Sequence, residues 1–160
     1  MKIHCWTGED IDYPGESLVG ADLSGRSLHR ADLSAANLSQ ADFSRADLRN
    51  AEFSNATLSS ARFTEARGMN SCFRGARCQA ALFDRAKMSY ANFEEADLID
   101  ADFSECVVDG VNFSRSNLSG AKMLWASYED PKLSGVVFDH STVWPNGFNP
   151  IVYEAILHTP

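Results

Sequence analysis

The sequence predicts an all-β solenoid, a parallel β-helix wound from tandem five-residue units. Three observations carry this. Residues 31–63 read ADLSA ANLSQ ADFSR ADLRN AEFSN ATLSS ARF, with Ala first, a polar residue second, Leu or Phe third and usually Ser fourth. A period of five suits neither an α-helix, on which the Leu/Phe centres scatter around the axis, nor a flat strand, on which they alternate between faces. Finally, Phe43, Phe53, Phe63, Phe73, Phe83, Phe93, Phe103 and Phe113 occupy every second centre.

The path that fits points Ala and the centre inward, with one outward residue between them and two outward residues at a corner. A chain that turns every fifth residue winds into coils, and stacked coils pair as parallel strands about 4.8 Å apart. An even number of units per coil stacks Phe on Phe. With four, the Phe columns line two opposite walls and smaller centres line the others, so large and small side chains interdigitate. Centres run in frame from Leu18 to Val143, without an insertion.

Residues 1–15 precede the frame. Ile3, Trp6, Ile11 and Tyr13 are apolar and Pro14-Gly15 marks a turn, so the segment reads as an N-terminal cap over an open strand edge. The alternative is an arm that docks on a partner. The β-helix spans 16–144. Within it, Arg26 stands where Ala is expected, Gly68 leaves a centre empty, Cys106 and Val111 widen the Ala column, and Pro131 predicts irregular last coils. Residues 145–160 form a C-terminal cap, in which Ile151–Leu157 is predicted to make about two helical turns. That segment serves as a lid over the last coil or as a homodimer contact.

The A(D/N)(L/F)xx pattern resembles the pentapeptide-repeat family. That resemblance implies a right-handed quadrilateral β-helix with four units per turn. The Trp144-Pro145-x-Gly147-Phe148 ending resembles tails that follow the last coil in many bacterial, including cyanobacterial, members. The family's functions are diverse. Members resembling quinolone-resistance factors act on DNA gyrase by presenting an acidic rod of roughly DNA width. This chain shares the acidity, but departs by a basic belt in mid-rod and by lacking a long interrupting loop.

Chemistry is sparsely signalled. The four His are isolated and the four Cys have no metal-ligand spacing, so neither a metal nor another cofactor is expected. The cysteines read as reduced small hydrophobes. Ser recurs because a small hydroxyl suits a corner. No nucleophile elbow or phosphate loop is present, and nearly flat walls offer no cleft, so the reading is non-enzymatic. The N-terminus lacks the apolar run of a signal peptide and no stretch suits a membrane span, which makes a cytoplasmic location and no membrane contact the expectation.

Charge is the informative surface property. The net charge is −8, which does not favour direct nucleic-acid binding. Residues 62–87 nevertheless carry net +4, through Arg62, Arg67, Arg74, Arg77, Arg85 and Lys87 against Glu65 and Asp84. Glu94, Glu95, Asp97, Asp100, Asp102, Glu105 and Asp109 follow, with no Lys or Arg from 88 to 114. A basic belt therefore adjoins an acidic belt. Two readings stand: mutual neutralisation across coils, or a docking surface for a protein partner of unknown identity, DNA gyrase being one possibility.

Overall fold

The computed structural model describes residues 2–8 and 10–159. Its organising feature is a parallel ladder of single bridges between residues 20 apart, from Asp22–Asp42 to Asn117–Val137. Four five-residue units therefore make one coil. Each centre donates its N–H to the carbonyl 19 residues on, as Leu23 does to Asp42 at 2.8 Å. Each preceding outward residue donates back, as Asp42 does to Ala21 at 2.8 Å.

Corners follow one plan. The N–H of the next Ala closes a β-turn onto the centre's carbonyl, as from Ala31 to Leu28 at 3.0 Å. The fifth residue takes left-handed φ, between 53° and 61° at the non-glycine corners from Arg30 to Arg115. Bulky L-residues bear about 1–2 kcal/mol for this conformation. The corner is tolerated because its N–H also joins the ladder, as from Gln40 to Ser59 at 2.9 Å.

The second residue of each unit secures the corner. Asp22, Asp32, Asn37, Asp42, Asn92, Asp102, Asn112 and Asn117 each accept the amide N–H two residues on. Such Asx turns satisfy a donor that has no ladder partner. The hydroxyls of Ser24, Ser34, Ser39 and Ser119 donate to the same side-chain oxygens. The preference for Asp, Asn and Ser in the repeat thus has a structural cause.

Inside, the phenylalanines form two columns. Rings one coil apart stack at 4.6–5.4 Å, and rings from opposite walls meet edge-to-face at 5.3–5.9 Å. Edge-to-face contact suits the ring quadrupoles. The Ala, Leu and Phe positions are almost entirely buried. At Gly68 the side chain of Met88 occupies the space a Cβ would need.

At the N-terminal end, β1 (Lys2–Cys5) pairs antiparallel with β2 (Ile11–Asp12) on one side and with β3 (Ala31–Asp32), a strand of the first coil, on the other. Ile3 and Cys5 are buried against the core, while Trp6 is exposed.

The last coil corrects the uninterrupted frame. Lys122 bridges to Val143, a step of 21. Asp139 causes the extra residue: its Oδ1 accepts from the amides of Gly120, Ser141 and Thr142 and from the hydroxyls of Ser141 and Thr142. Thr142 therefore turns inward, donating to the Leu118 carbonyl at 2.9 Å, and Val143 faces solvent. Tyr128, expected as a centre, is 37% exposed. Trp125, at a nominal corner, is buried instead and stacks on Phe113 at 6.1 Å.

The C-terminal segment also differs from the two predicted helical turns. Asn149 caps a single 3-10 turn, Pro150–Tyr153, which ends at Glu154 with φ 63°. Strand β5 (Ile156–Leu157) then pairs parallel with β4 (Val137–Phe138). Ala155-Ile156-Leu157 is the repeat's own Ala-x-Leu pattern outside the frame, and ladder pairing wins over a short helix that has little to pack on.

The ring column sets a stability expectation. Phe73→Ala removes contacts to Phe53, Phe63, Phe83 and Phe93 and should cost about 3–5 kcal/mol in urea denaturation. Ser54→Ala, on the outer surface, should stay within about 0.5 kcal/mol.

Candidate functional site

Every fifth residue begins a new wall, so the sequence belts are wrapped around the rod. The first wall carries Arg77, Asp97 and Asp100, and the second Arg62, Arg85, Asp102 and Glu105. The third carries Arg67, and the fourth Arg74, Glu94 and Glu95. The candidate surface is therefore spread over four directions, and no flat partner meets all of it at once.

Most of these charges are engaged within the chain. On the fourth wall Arg74 lies 3.7 Å from both Glu94 and Glu95, and Arg115 approaches the same two carboxylates from the coil beyond. On the second wall Arg85 meets Asp84 at 2.9 Å and Glu65 at 3.5 Å, while Arg45 takes Glu65 at 2.9 Å. Arg62 turns toward Asp42 at 3.9 Å rather than toward Asp102, which Lys122 holds at 3.1 Å. Exposed pairs of this kind contribute about 0–1 kcal/mol each.

The remaining candidates are not paired so. Arg77 stacks one coil from Asp97, whose carboxylate accepts from Gln79 Nε2 at 2.6 Å. Among the described residues Arg67, Arg77, Asp100 and Glu105 have no opposite charge within 4 Å. Lys87, stacked directly on Arg67, has none either. Arg49, Met69 and Tyr90, on the same third wall, were not among the candidates. Reading the sequence at intervals of 20 is the signal that finds them.

Cys5, Cys78 and Cys106 are buried thiols whose pKa burial pushes up, which leaves them unreactive. Among the described residues no group of His, Cys, Asp and Glu could hold a metal ion, and no helix is long and apolar enough to cross a membrane.

Four walls of stacked five-residue units, a side-chain-filled interior and Asx-secured corners define a quadrilateral β-helix solenoid. The family model for pentapeptide repeats matches residues 17–51, 27–64, 70–98 and 96–127, in eight copies. The chain belongs to the pentapeptide-repeat family, whose coil is right-handed. A pentapeptide repeat protein (Rfr23) from the cyanobacterium Cyanothece 51142 shares 22% identity, covering 79% of this chain and 89% of that one, with a TM-score of 0.58. A thylakoid-lumen pentapeptide repeat protein of Arabidopsis thaliana shares 31% identity over 76% of this chain and 67% of its own, with a TM-score of 0.41. QnrB1, a plasmid-mediated fluoroquinolone resistance protein, shares 20% identity over 89% of each chain, with a TM-score of 0.44. No match was found among curated protein sequences.

The Asx carboxylates predict the acid response. Ser24 and Ser34 hold Asp22 and Asp32 below the usual carboxylate range, and Arg49 does the same for Asp47. Burial works to raise Asp102, but Ser104 and Lys122 together hold it low. Asp139 is lowered furthest, to about 2, chiefly by the Ser141 hydroxyl. A folded pKa below the unfolded one contributes stability above pH ~4 that is lost as pH falls through the folded value. The melting temperature should therefore fall from pH 4 toward pH 2. Asp139→Asn keeps an acceptor oxygen and removes the titration, so it should make that fall shallower in thermal melts.

Proposed function

We propose that this chain is a non-enzymatic protein-interaction scaffold that docks a protein partner through its charged outer walls. The observation that supports this is the filled interior: the inward Ala, Leu and Phe columns are closed to solvent, so function is left to outward residues. The repeat fixes their number and direction but not their charge. The adjoining belts, Arg62, Arg67, Arg74, Arg77 and Arg85 against Glu94, Glu95, Asp97, Asp100, Asp102 and Glu105, supply the charge pattern. Such patterns raise specificity and association rate more than raw affinity.

The test is an affinity pull-down from native lysate with the wild type and with Arg67→Glu/Arg77→Glu, which reverses two belt arginines that have no ion pair. Capture should fall with the reversal and with rising salt, while the melting temperature stays within about 2 °C. Capture insensitive to both overturns docking through the belts. The exposed Ile151, Val152 and Ile156 are then the next surface, and light scattering reports whether they join two copies.

A second reading, a DNA-mimicking modulator of DNA gyrase, is favoured by the net charge of −8 and by the acidic run from Glu94 to Asp109. Gyrase supercoiling, titrated with this protein with and without a fluoroquinolone, should then show inhibition or protection that Asp97→Asn/Asp100→Asn/Asp102→Asn weakens. No effect at large molar excess removes this reading.

A further inference from the structure

The third wall differs from the others. On the second wall a recess of about 570 Å³ is lined by Arg45, Arg62 and Arg85, but Glu65 and Asp42 already pair with them. On the third wall a recess of about 430 Å³ is lined by Arg49, Arg67, Met69 and Lys87. The column beneath it runs Asp47, Arg67, Lys87 in three successive coils. Asp47 is already gripped by Arg49, at 2.8 Å through Nε and 2.6 Å through Nη2. Its charge also reaches Arg67. Lys87 has no carboxylate of its own among the described residues.

Like charges stacked one coil apart repel, and the intramolecular hydrogen bonds of the wall do not relieve this. In a chain of net charge −8 that carries spare acids on its other walls, the arrangement leaves the local charge unmet. Lining the same recess is an exposed apolar side chain, Met69, at 46% exposure, while the Tyr90 ring of this wall lies over Gly110 in the next coil. A cationic column with an adjacent apolar anchor is a binding surface of mixed character.

We propose that the third wall binds a short acidic segment of a partner protein. The partner's carboxylates face Arg67 and Lys87, whose charge no carboxylate within 4 Å meets, and an apolar residue rests on Met69. This rests on the scaffold reading and narrows it to one wall and one chemistry. The C-terminal end of the wall disfavours a nucleic acid. The basic column reaches Lys87, its next outward position is Val107, and Asp109, Glu129 and Asp130 follow on the same wall, while Arg26 and Arg30 continue its basic side toward the N-terminus. Those carboxylates repel a polyanion that runs past Lys87, whereas an acidic run of a few residues stops short of them, and the oligothymidine comparison separates the two. Arginine supplies a planar fork suited to carboxylates, and Lys87 a point charge.

The experiment is fluorescence anisotropy with a fluorescein-labelled peptide of about ten Asp and Glu residues around one Phe, at low salt. A peptide with Asn and Gln in place of the acids and an oligothymidine of similar charge serve as comparisons. Wild type should bind the acidic peptide at micromolar concentrations, more tightly than either comparison. Arg67→Glu/Lys87→Glu should weaken binding at least about tenfold, and Met69→Ser about threefold. Lys122→Glu/Lys132→Glu makes the same change of net charge on other walls, at residues outside the belts, and should leave binding within about twofold. All four positions are outward and exposed, and circular dichroism confirms that the reversals fold. No binding at about 1 mM peptide, equal loss in both double variants, or tighter binding of the neutral peptide or the oligothymidine overturns the inference. The assay uses no lysate, so the two failures are distinct. Absence of capture in the pull-down overturns the scaffold reading, and absence of acidic-peptide binding overturns this one.

Discussion

The constraint on which everything else depends is the fixed rise of the parallel ladder. Neighbouring coils are tied by N–H···O bonds of 2.6–3.1 Å, repeated on every wall. Side chains 20 residues apart must therefore stack at one strand spacing. That spacing is close to the distance at which aromatic rings make contact, and the Phe columns use it, with interplanar angles of 4–18° between stacked rings. A β-helix with a looser rise would separate the rings, and one with three units per coil would mix Phe with Leu in each column.

The same rise explains why so little freedom remains inside and so much outside. Corners need a left-handed residue, an accepting side chain before the turn and a small residue after it. These demands consume the first, second and fifth positions of most units. Ser at the fourth position follows where the Asp or Asn oxygen can also take its hydroxyl. Asx turns are local, so each corner is built by the same rule as its neighbour, and the coils then join through the ladder.

The regular coils were legible in the sequence because period five, Ala before the centre and alternate Phe each report one physical requirement. What was not legible lies where a side chain overrides the period. Trp125 is too large to remain at a solvent-facing corner when Phe113 offers a stacking partner, and Tyr128 yields its place. Asp139 gathers three amides and two hydroxyls, a local preference with no trace in hydrophobic spacing. Ala155-Ile156-Leu157 carried the repeat's own pattern, but its displacement from the frame and the preceding Pro150 made it read as helix. Of the candidate surface, the residue identities were legible and their directions were not, because a contiguous charged stretch of about one coil visits all four walls.

This separation of sequence neighbours has a consequence for how a solenoid presents charge. A block of like charges in sequence becomes a ring around the rod, and a member is neutralised where the next coil of the same wall supplies its opposite. Arg74 with Glu94 and Lys122 with Asp102 show such pairing across one coil. A belt therefore tends to neutralise itself wherever the residue 20 positions away has the opposite sign. A partner instead meets a column, and a column stays charged only where residues 20 apart repeat the same sign. Arg67 and Lys87 do so with Val107 next in line, and Asp47 above them is already bound to Arg49. The physical unit of surface charge on this fold is thus the 20-residue column, and the third wall is where the column and the belt point the same way.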